Sequence, residues 1–474
     1  MNKLIGRKKE QSLLNQLKES GKSSFLAIYG RRRVGKTFLI RQAFNNQFDF
    51  SITGMANVNM QQQLANFHAA LNKYDPLSTG KEIADNWLTA FQQLTEILEA
   101  KKQNQTVVFL DELPWLDTAQ SNFIPALEHF WNSWAAARND ILLIVCGSAA
   151  SWMINKLINN KGGLHNRITH RIKLEPFSLK ECEEFFKSKS AVFDKYQLIQ
   201  LYMTMGGIPF YLDQVDAWRS AAQNINGMCF GPEGILRTEF NNLYKSLFNN
   251  AEKHISIIEI LSKKTKGLTR EEIIKGAKLT SGGSTTRILK DLEESNFIRK
   301  YSPFEKKEKN SLYQLADFYS LFYLKFIKNA SAFDENIWIN GLNSPEQRAW
   351  SGYAFEQVCF AHIKEIKKAL GISGVQTTSS SWVNRNSKTG AQIDLLIDRK
   401  DQVINLCEMK FSINSFTIDK KYAEILRNKI GVFREETQTR KAVFLTMITT
   451  FGLNKNQYST SLVQNDLNMD IFFE

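Results

Sequence analysis

The sequence predicts an α/β fold built on a parallel sheet, and three stretches carry that expectation. Phe25 to Tyr29 is a short apolar run of strand type, Gly30 to Thr37 reads GRRRVGKT, and Phe38 to Phe44 continues with helical periodicity. Strand, glycine loop and helix in that order is the context that the pattern G-x-x-x-x-G-K-[ST] requires. Gly30 and Gly35 let the backbone bend so that successive N–H groups can cradle phosphate oxygens. Lys36 supplies a point charge to the β- and γ-phosphates, Thr37 offers a hydroxyl to Mg²⁺, and the following helix adds the positive end of its dipole. The expected nucleotide-binding residues are therefore Gly30, Arg31, Arg32, Arg33, Val34, Gly35, Lys36, Thr37 and Phe38.

The rest of the N-terminal region fits around that loop. Leu13, Leu14 and Leu17 lie on one face of a first helix, preceded by an Ile5-Gly6-Arg7 turn that is similar to a box touching adenine in several ATPase families. Thr106 to Leu110 is a second buried strand, ending in Asp111-Glu112. Asp111 is expected in the Mg²⁺ shell with Thr37, and Glu112 is expected to orient and polarise the attacking water on ATP. A third apolar strand, Ile141 to Cys146, runs into Ser148, placed where a residue sensing the γ-phosphate is expected. Arg167 and Arg171 precede another short strand, Ile172 to Leu174, and either supply an arginine finger, in cis or to a neighbouring subunit, or form a solvated basic edge. Residues 178–230 are helical, broken by GGIPFYL at 206–212, and are expected as a small lid over the nucleotide.

Composition bounds the whole. A chain of 474 residues exceeds one compact core, and three or four domains are expected. Hydrophobic residues make up 43% and aromatics 12%, which fits a globular chain, and no run of eighteen apolar residues exists to span a membrane. The charged N-terminus, MNKLIGRKKEQ, lacks an apolar signal region, so a cytoplasmic protein is expected. The five cysteines are scattered without a CxxC pair, which supports neither a zinc site nor a disulfide framework. The net charge of +13 fits a polyanionic partner, and DNA is the expected one.

The motifs GRRRVGKT, VVFLDELPWLD, IVCGSAASWM and GGIPFYL, in that order over roughly residues 1–235, resemble the archaeal-type P-loop ATPases. That family is related to the signal-transduction ATPases with many domains and to the AAA+ class. The resemblance implies an ASCE-type core with a helical lid, acting as a nucleotide-dependent switch. GGIPFYL departs from the pattern in carrying no arginine, so the lid offers no obvious arginine sensor.

Residues 250–328 read as helix, helix, turn, helix and hairpin, which is a winged helix-turn-helix order. Arg287, Lys290, Lys306, Lys307 and Lys309 could meet phosphates, and such modules also dock proteins, so a protein partner is the alternative. In the last region Glu356 sits within a helix, Asp394 near the start of a buried strand, and Glu408 and Lys410 two apart on one face of the next. This D-x(13)-E-x-K spacing resembles the PD-(D/E)XK nuclease fold, with Glu356 matching the acidic residue on its first helix. Asp394 and Glu408 would hold a divalent ion, and that ion or Lys410 would ease the formation of hydroxide. Lys420, Lys421 and Tyr422 could grip the substrate backbone.

The expected architecture is thus a P-loop NTPase core over 1–175 and a helical lid over 176–240. A winged helix-turn-helix over 241–335 and an α/β restriction-endonuclease-like domain over 336–474 follow. The leading reading is an ATP-driven, DNA-associated enzyme with a Mg²⁺-dependent nuclease domain. The alternative is a signalling ATPase with a protein partner and a silent nuclease-like scaffold. A homo-oligomer is compatible with this sequence.

Overall fold

The computed structural model describes residues 4–75, 82–101, 105–159, 162–164, 166–248, 250–305, 311–330, 334–384 and 391–474. The chain divides into two compact units, Met1–Pro176 and Phe177–Glu474.

In the first unit, α1 (Lys8–Glu19) leads into β1 (Ser24–Tyr29) and α2 (Lys36–Ala43), followed by β2 (Phe50–Thr53), β3 (Thr106–Asp111), β4 (Ile141–Gly147) and β5 (His170–Lys173). The strands form one parallel sheet in the order β2-β3-β4-β1-β5. Every residue of β3 and β4 is buried, which is why these strands read as unbroken apolar runs rather than alternating ones. An aromatic cluster of Phe67, Trp87, Phe91, Phe123 and Phe130 packs beneath them, with Trp87 meeting Phe123 edge-on at 4.8 Å. Because the sheet is parallel, the C-terminal ends of β1, β3 and β4 share one edge. The glycine loop, Asp111-Glu112 and Ser148 therefore converge there, although they lie 36 or more positions apart in sequence.

The second unit opens with the helices Leu179–Ser188, Lys195–Met205, Pro209–Leu212, Ala221–Cys229 and Ile235–Leu247. GGIPFYL has a packing role here. The Gly207 carbonyl accepts a hydrogen bond from the Phe177 N–H at 2.7 Å, and the buried Tyr211 hydroxyl donates to Glu239 at 3.0 Å. The helices expected as a lid are thus built into the second unit.

Next come α3 (Ala251–Ser262), β6 (Leu268–Thr269), α4 (Arg270–Gly276), α5 (Gly283–Glu294), β7 (Ile298–Tyr301) and β8 (Leu312–Leu315). The strands form an antiparallel sheet in the order β6-β8-β7. Thr269 starts α4 through a capping box, its N–H donating to Glu272 at 2.8 Å and its hydroxyl accepting from the Glu272 N–H at 3.2 Å. Lys306, Lys307 and Lys309 lie outside the described residues.

The chain ends in α6 (Pro345–Ala361), β9 (Thr377–Val383), β10 (Gln392–Arg399), β11 (Val403–Lys410), α7 (Lys420–Thr437), β12 (Ala442–Thr449) and β13 (Asn465–Leu467). The sheet order is β13-β12-β11-β10-β9, with β9, β10 and β11 antiparallel and β11, β12 and β13 parallel. The β9–β10 register shifts between Ile393 and Leu396, so Asp394 sits in a bulge, a device that re-aims a side chain beside a site. Among the described residues, no helix is long and apolar enough to cross a membrane.

Candidate nucleotide site and a second acidic site

The glycine loop curls tightly at the end of β1. Gly30 has φ 148°, and a Cβ there would lie 2.4 Å from the Leu174 carbonyl oxygen, while Gly35 has φ 88°. A side chain at Gly30 would clash with Leu174, and the left-handed backbone at Gly35 is one that other residues rarely adopt. Val34 and Arg31 are buried in the loop, Arg32 and Arg33 are half-buried, and Phe38 is exposed on α2. The Lys36 ammonium donates to the carbonyls of Gly30 and Arg31, each at 2.9 Å, and is held over the loop. Arg7, itself buried, donates to the Val34 carbonyl at 3.2 Å. The Gly6-Arg7 turn thus braces the loop; its arginine contacts loop backbone, a role that the sequence reading did not give it.

Asp111 and Glu112 end β3 with different partners. The Thr37 hydroxyl donates to the Asp111 carboxylate at 2.9 and 3.1 Å. Burial and the neighbouring Glu112 charge push Asp111 upward, against hydrogen bonds from Thr37 and the Cys146 thiol. A buried carboxylate in that state is stabilised by a cation. Glu112 lies in the left-handed region, φ 48°, a strained conformation of the kind found at functional sites. The Ser148 hydroxyl donates to its two oxygens at 2.8 and 2.6 Å, and the Ser148 N–H to one of them at 3.1 Å. Ser148 was expected to sense a phosphate, and what it holds here is the glutamate.

Thr37 and Asp111 form an oxygen-only donor pair of the kind Mg²⁺ takes alongside substrate phosphates. Arg167 is elsewhere. It precedes β5, whose first residue, His170, pairs with Leu26 near the start of β1, whereas the loop follows the end of β1 at Tyr29. Arg167 is exposed towards the opposite end of the sheet from Gly30–Thr37, and the exposed Arg171 pairs with Ala27 in the middle of β1. Within one chain the parallel register therefore argues against Arg167 as a cis finger.

In the second unit, Glu356 on α6, Asp394 in the β10 bulge, and Glu408 and Lys410 on β11 act on one another electrostatically. Glu408 is buried, and its carboxylate accepts from the Lys429 ammonium at 2.7 Å and the Tyr422 hydroxyl at 2.8 Å, with Lys410 at 3.3 Å. Burial alone would raise Glu408, but the charges of Lys429 and Lys410 and the bonds from Lys429 and Tyr422 outweigh it and hold the group down. Asp394 is raised by burial and by Glu408, although the Gln392 amide donates to it. Tyr422 therefore contacts the acidic site, while Lys420 and Lys421 are exposed on α7.

Lys429 was missed in the sequence. It lies seven residues after Tyr422, with the buried Leu426 between them, so the 3.6-residue period brings both side chains to the face of α7 that meets β11. Asp394 and Glu408 also offer oxygens alone, suited to a divalent ion. Among the described residues, no group of three or more His, Cys, Asp or Glu is set for holding a metal.

Burial, then Asp394 and Glu408, push Glu356 up to about 8. Between its ordinary 4.5 and about 8 the folded chain keeps this proton while the unfolded chain loses it. Wild-type stability therefore falls as pH rises through that window and levels above it. In chelator, Glu356→Gln should match wild type near pH 5 and exceed it by about 1–3 kcal/mol at pH 8, measured as thermal melts. A difference independent of pH would refute the assignment.

Residues 4–215 match the family described as an ATPase domain predominantly from Archaea. An uncharacterised protein of Methanocaldococcus jannaschii is 25% identical over 430 residues, covering 89% of this chain and 91% of its own. A Walker-type ATPase of Pyrococcus abyssi is 16% identical over 68% of this chain and 96% of its own, with TM-score 0.49. The ORC2 protein of Aeropyrum pernix, solved with ADPNP and ADP, is 14% identical over 69% of this chain and 94% of its own, with TM-score 0.42. The glycine loop, Asp111-Glu112 and the family match agree: residues 4–215 of this chain are similar to ATPase domains found mainly in Archaea, and their geometry is that of an ATP-binding site.

Proposed function

We propose that the chain is an ATP-driven switch whose C-terminal unit engages DNA and hydrolyses phosphodiesters with a divalent ion. The observation that carries the ATPase half is the Thr37–Asp111 contact at 2.9 Å beside a Glu112 held by Ser148. The loop would bind the phosphates through its backbone, Lys36 would leave its loop carbonyls for the β- and γ-phosphates, and Thr37 with Asp111 would hold Mg²⁺. Mg²⁺ supplies charge neutralisation on the phosphate oxygens. Glu112 accepts the proton of the attacking water, and Ser148 fixes which way its carboxylate points. Lys36→Ala should abolish ATP binding and turnover in the full chain, read by nucleotide titration and phosphate release. Wild-type turnover in that variant would defeat the reading.

For the second unit the reading rests on acidic groups and a lysine gathered on the two central antiparallel strands. Asp394 and Glu408 would hold the ion, Lys410 would favour ionisation of the attacking water, and Lys429 with Tyr422 orients Glu408. The order α3 to β8 supports a winged helix-turn-helix. A second reading, a signalling ATPase with a protein partner, draws on α5, where Arg287 and Lys290 stand against Asp291, Glu293 and Glu294. That helix is a poor phosphate-facing surface.

A further inference from the structure

We propose that the exposed lysine loop at residues 263–267 is the rim that holds a nucleic-acid backbone against the acidic site around Asp394. The phosphate grip of the helical module would then lie in this loop and not on α5. The proposal rests on the reading of the second unit as acting on DNA.

The argument starts from the β7–β8 hairpin, which is fastened to the C-terminal sheet at three points. Arg299 of β7 lies with its guanidinium 4.0 Å from the centre of the Phe360 ring, donates to Gln314 at 2.9 Å and bonds to Gln357 of α6. A cation buried this way is tolerated only where its partners are fixed. Pro303 bridges to Ser381, and the Phe304 N–H donates to the Ser381 carbonyl at 2.8 Å, so the hairpin continues the sheet past edge strand β9. The Phe304 ring then packs 5.6 Å from Phe433, which meets Trp382 edge-on at 5.2 Å.

Ser381 is the residue of β9 that faces the β10 bulge holding Asp394, because Ile393 pairs with Trp382 and Leu396 with Ser380. The hairpin is therefore two strand spacings from Asp394, on the order of 10 Å. From that anchored hairpin the Tyr301 hydroxyl donates to the Lys266 carbonyl at 2.6 Å, and the Gln314 amide bonds to the Thr265 carbonyl. The Gly267 N–H closes the turn on the Lys264 carbonyl at 2.9 Å. The loop backbone is thus pinned to the strand that borders the site, while Lys263, Lys264 and Lys266 are all exposed. Among the described residues, none of the three forms an ion pair. Lys266 and Lys429 pull down on Asp394, against burial and Glu408.

Three ammonium groups in four residues, without an ion pair among the described residues and on a loop whose backbone is bonded to the hairpin beside Asp394, match a phosphate backbone passing over that carboxylate. A protein partner would not need the lysines aligned with that site.

The test is fluorescence anisotropy of the full chain with a labelled duplex of about 30 bp in chelator, titrated with KCl. The triple variant Lys263→Ala, Lys264→Ala, Lys266→Ala should bind at least about tenfold more weakly near 100 mM salt. Its slope of log affinity against log salt should fall by about 2 to 3, one for each lost phosphate contact. Replacing the three by arginine should restore the affinity, and Arg287→Ala with Lys290→Ala should stay within about threefold of wild type. Wild-type affinity and slope in the triple alanine variant, or a loss confined to the α5 variant, would overturn the rim and leave DNA binding standing. Absence of salt-dependent binding by the wild-type chain would overturn both.

Discussion

Glu112→Gln should lower ATP turnover by about 100-fold or more while leaving ATP affinity within about threefold. The two effects separate because the proposed reading gives nucleotide contact and proton transfer to different residues. Lys36, Thr37 and the loop backbone lie at the end of β1, whereas Glu112 follows β3 and is fastened by Ser148 at the end of β4. An amide keeps the shape and still accepts the Ser148 hydroxyl, but it cannot take a proton from water. The loss belongs in kcat and not in affinity. Asp111→Asn should behave differently, weakening Mg²⁺ dependence, because Thr37 and the metal would share that carboxylate. Single-turnover hydrolysis with nucleotide titration distinguishes the cases. Near-wild-type turnover in Glu112→Gln would remove Glu112 from the reaction.

Much of this was legible in the sequence, for reasons that differ by element. The strands β1, β3 and β4 were visible because parallel strands covered on both faces must be apolar throughout. GRRRVGKT was visible because a tight phosphate loop admits few residue types. Val403–Lys410 and its two-residue Glu408–Lys410 spacing were visible because a strand alternates faces. What stayed hidden depended on tertiary register. Arg167 looked as plausible as any arginine until pairing of His170 with Leu26 put it near the far end of the sheet. Lys429 is one of three lysines of α7, and only the packing of that helix on β11 singles it out. Arg7 supplies an instance in which the right turn was noticed but its contact was not, since bracing Val34 leaves no trace in local sequence. The β10 bulge at Asp394 was hidden too, because register shifts arise between strands and not within one.

Asp394→Asn should abolish divalent-dependent nicking of plasmid, by about 1,000-fold or more, while duplex affinity in chelator is unchanged or higher. Asp394 is half-buried beside Glu408 and is raised by desolvation and by that charge, with the Gln392 amide as its bonded neighbour. It has less opposing charge than Glu408, which already meets Lys429, Lys410 and Tyr422. Of the two carboxylates, Asp394 therefore gains more from a divalent ion. Asparagine removes the charge that the ion needs without removing volume, so the fold should persist and the metal should not bind. It also removes a negative charge from the path of a phosphate backbone, which favours binding. Lys410→Ala should lose nicking as well but retain metal binding, because the proposed reading assigns its ammonium, 3.3 Å from Glu408, to the water and not to the ion. The measurement is plasmid nicking with Mg²⁺ or Mn²⁺, with and without ATP, beside Mn²⁺ titration of each variant. Nicking that survives Asp394→Asn would exclude this acidic site as the nuclease. An inert wild type with intact ATPase would turn the second unit into a docking scaffold.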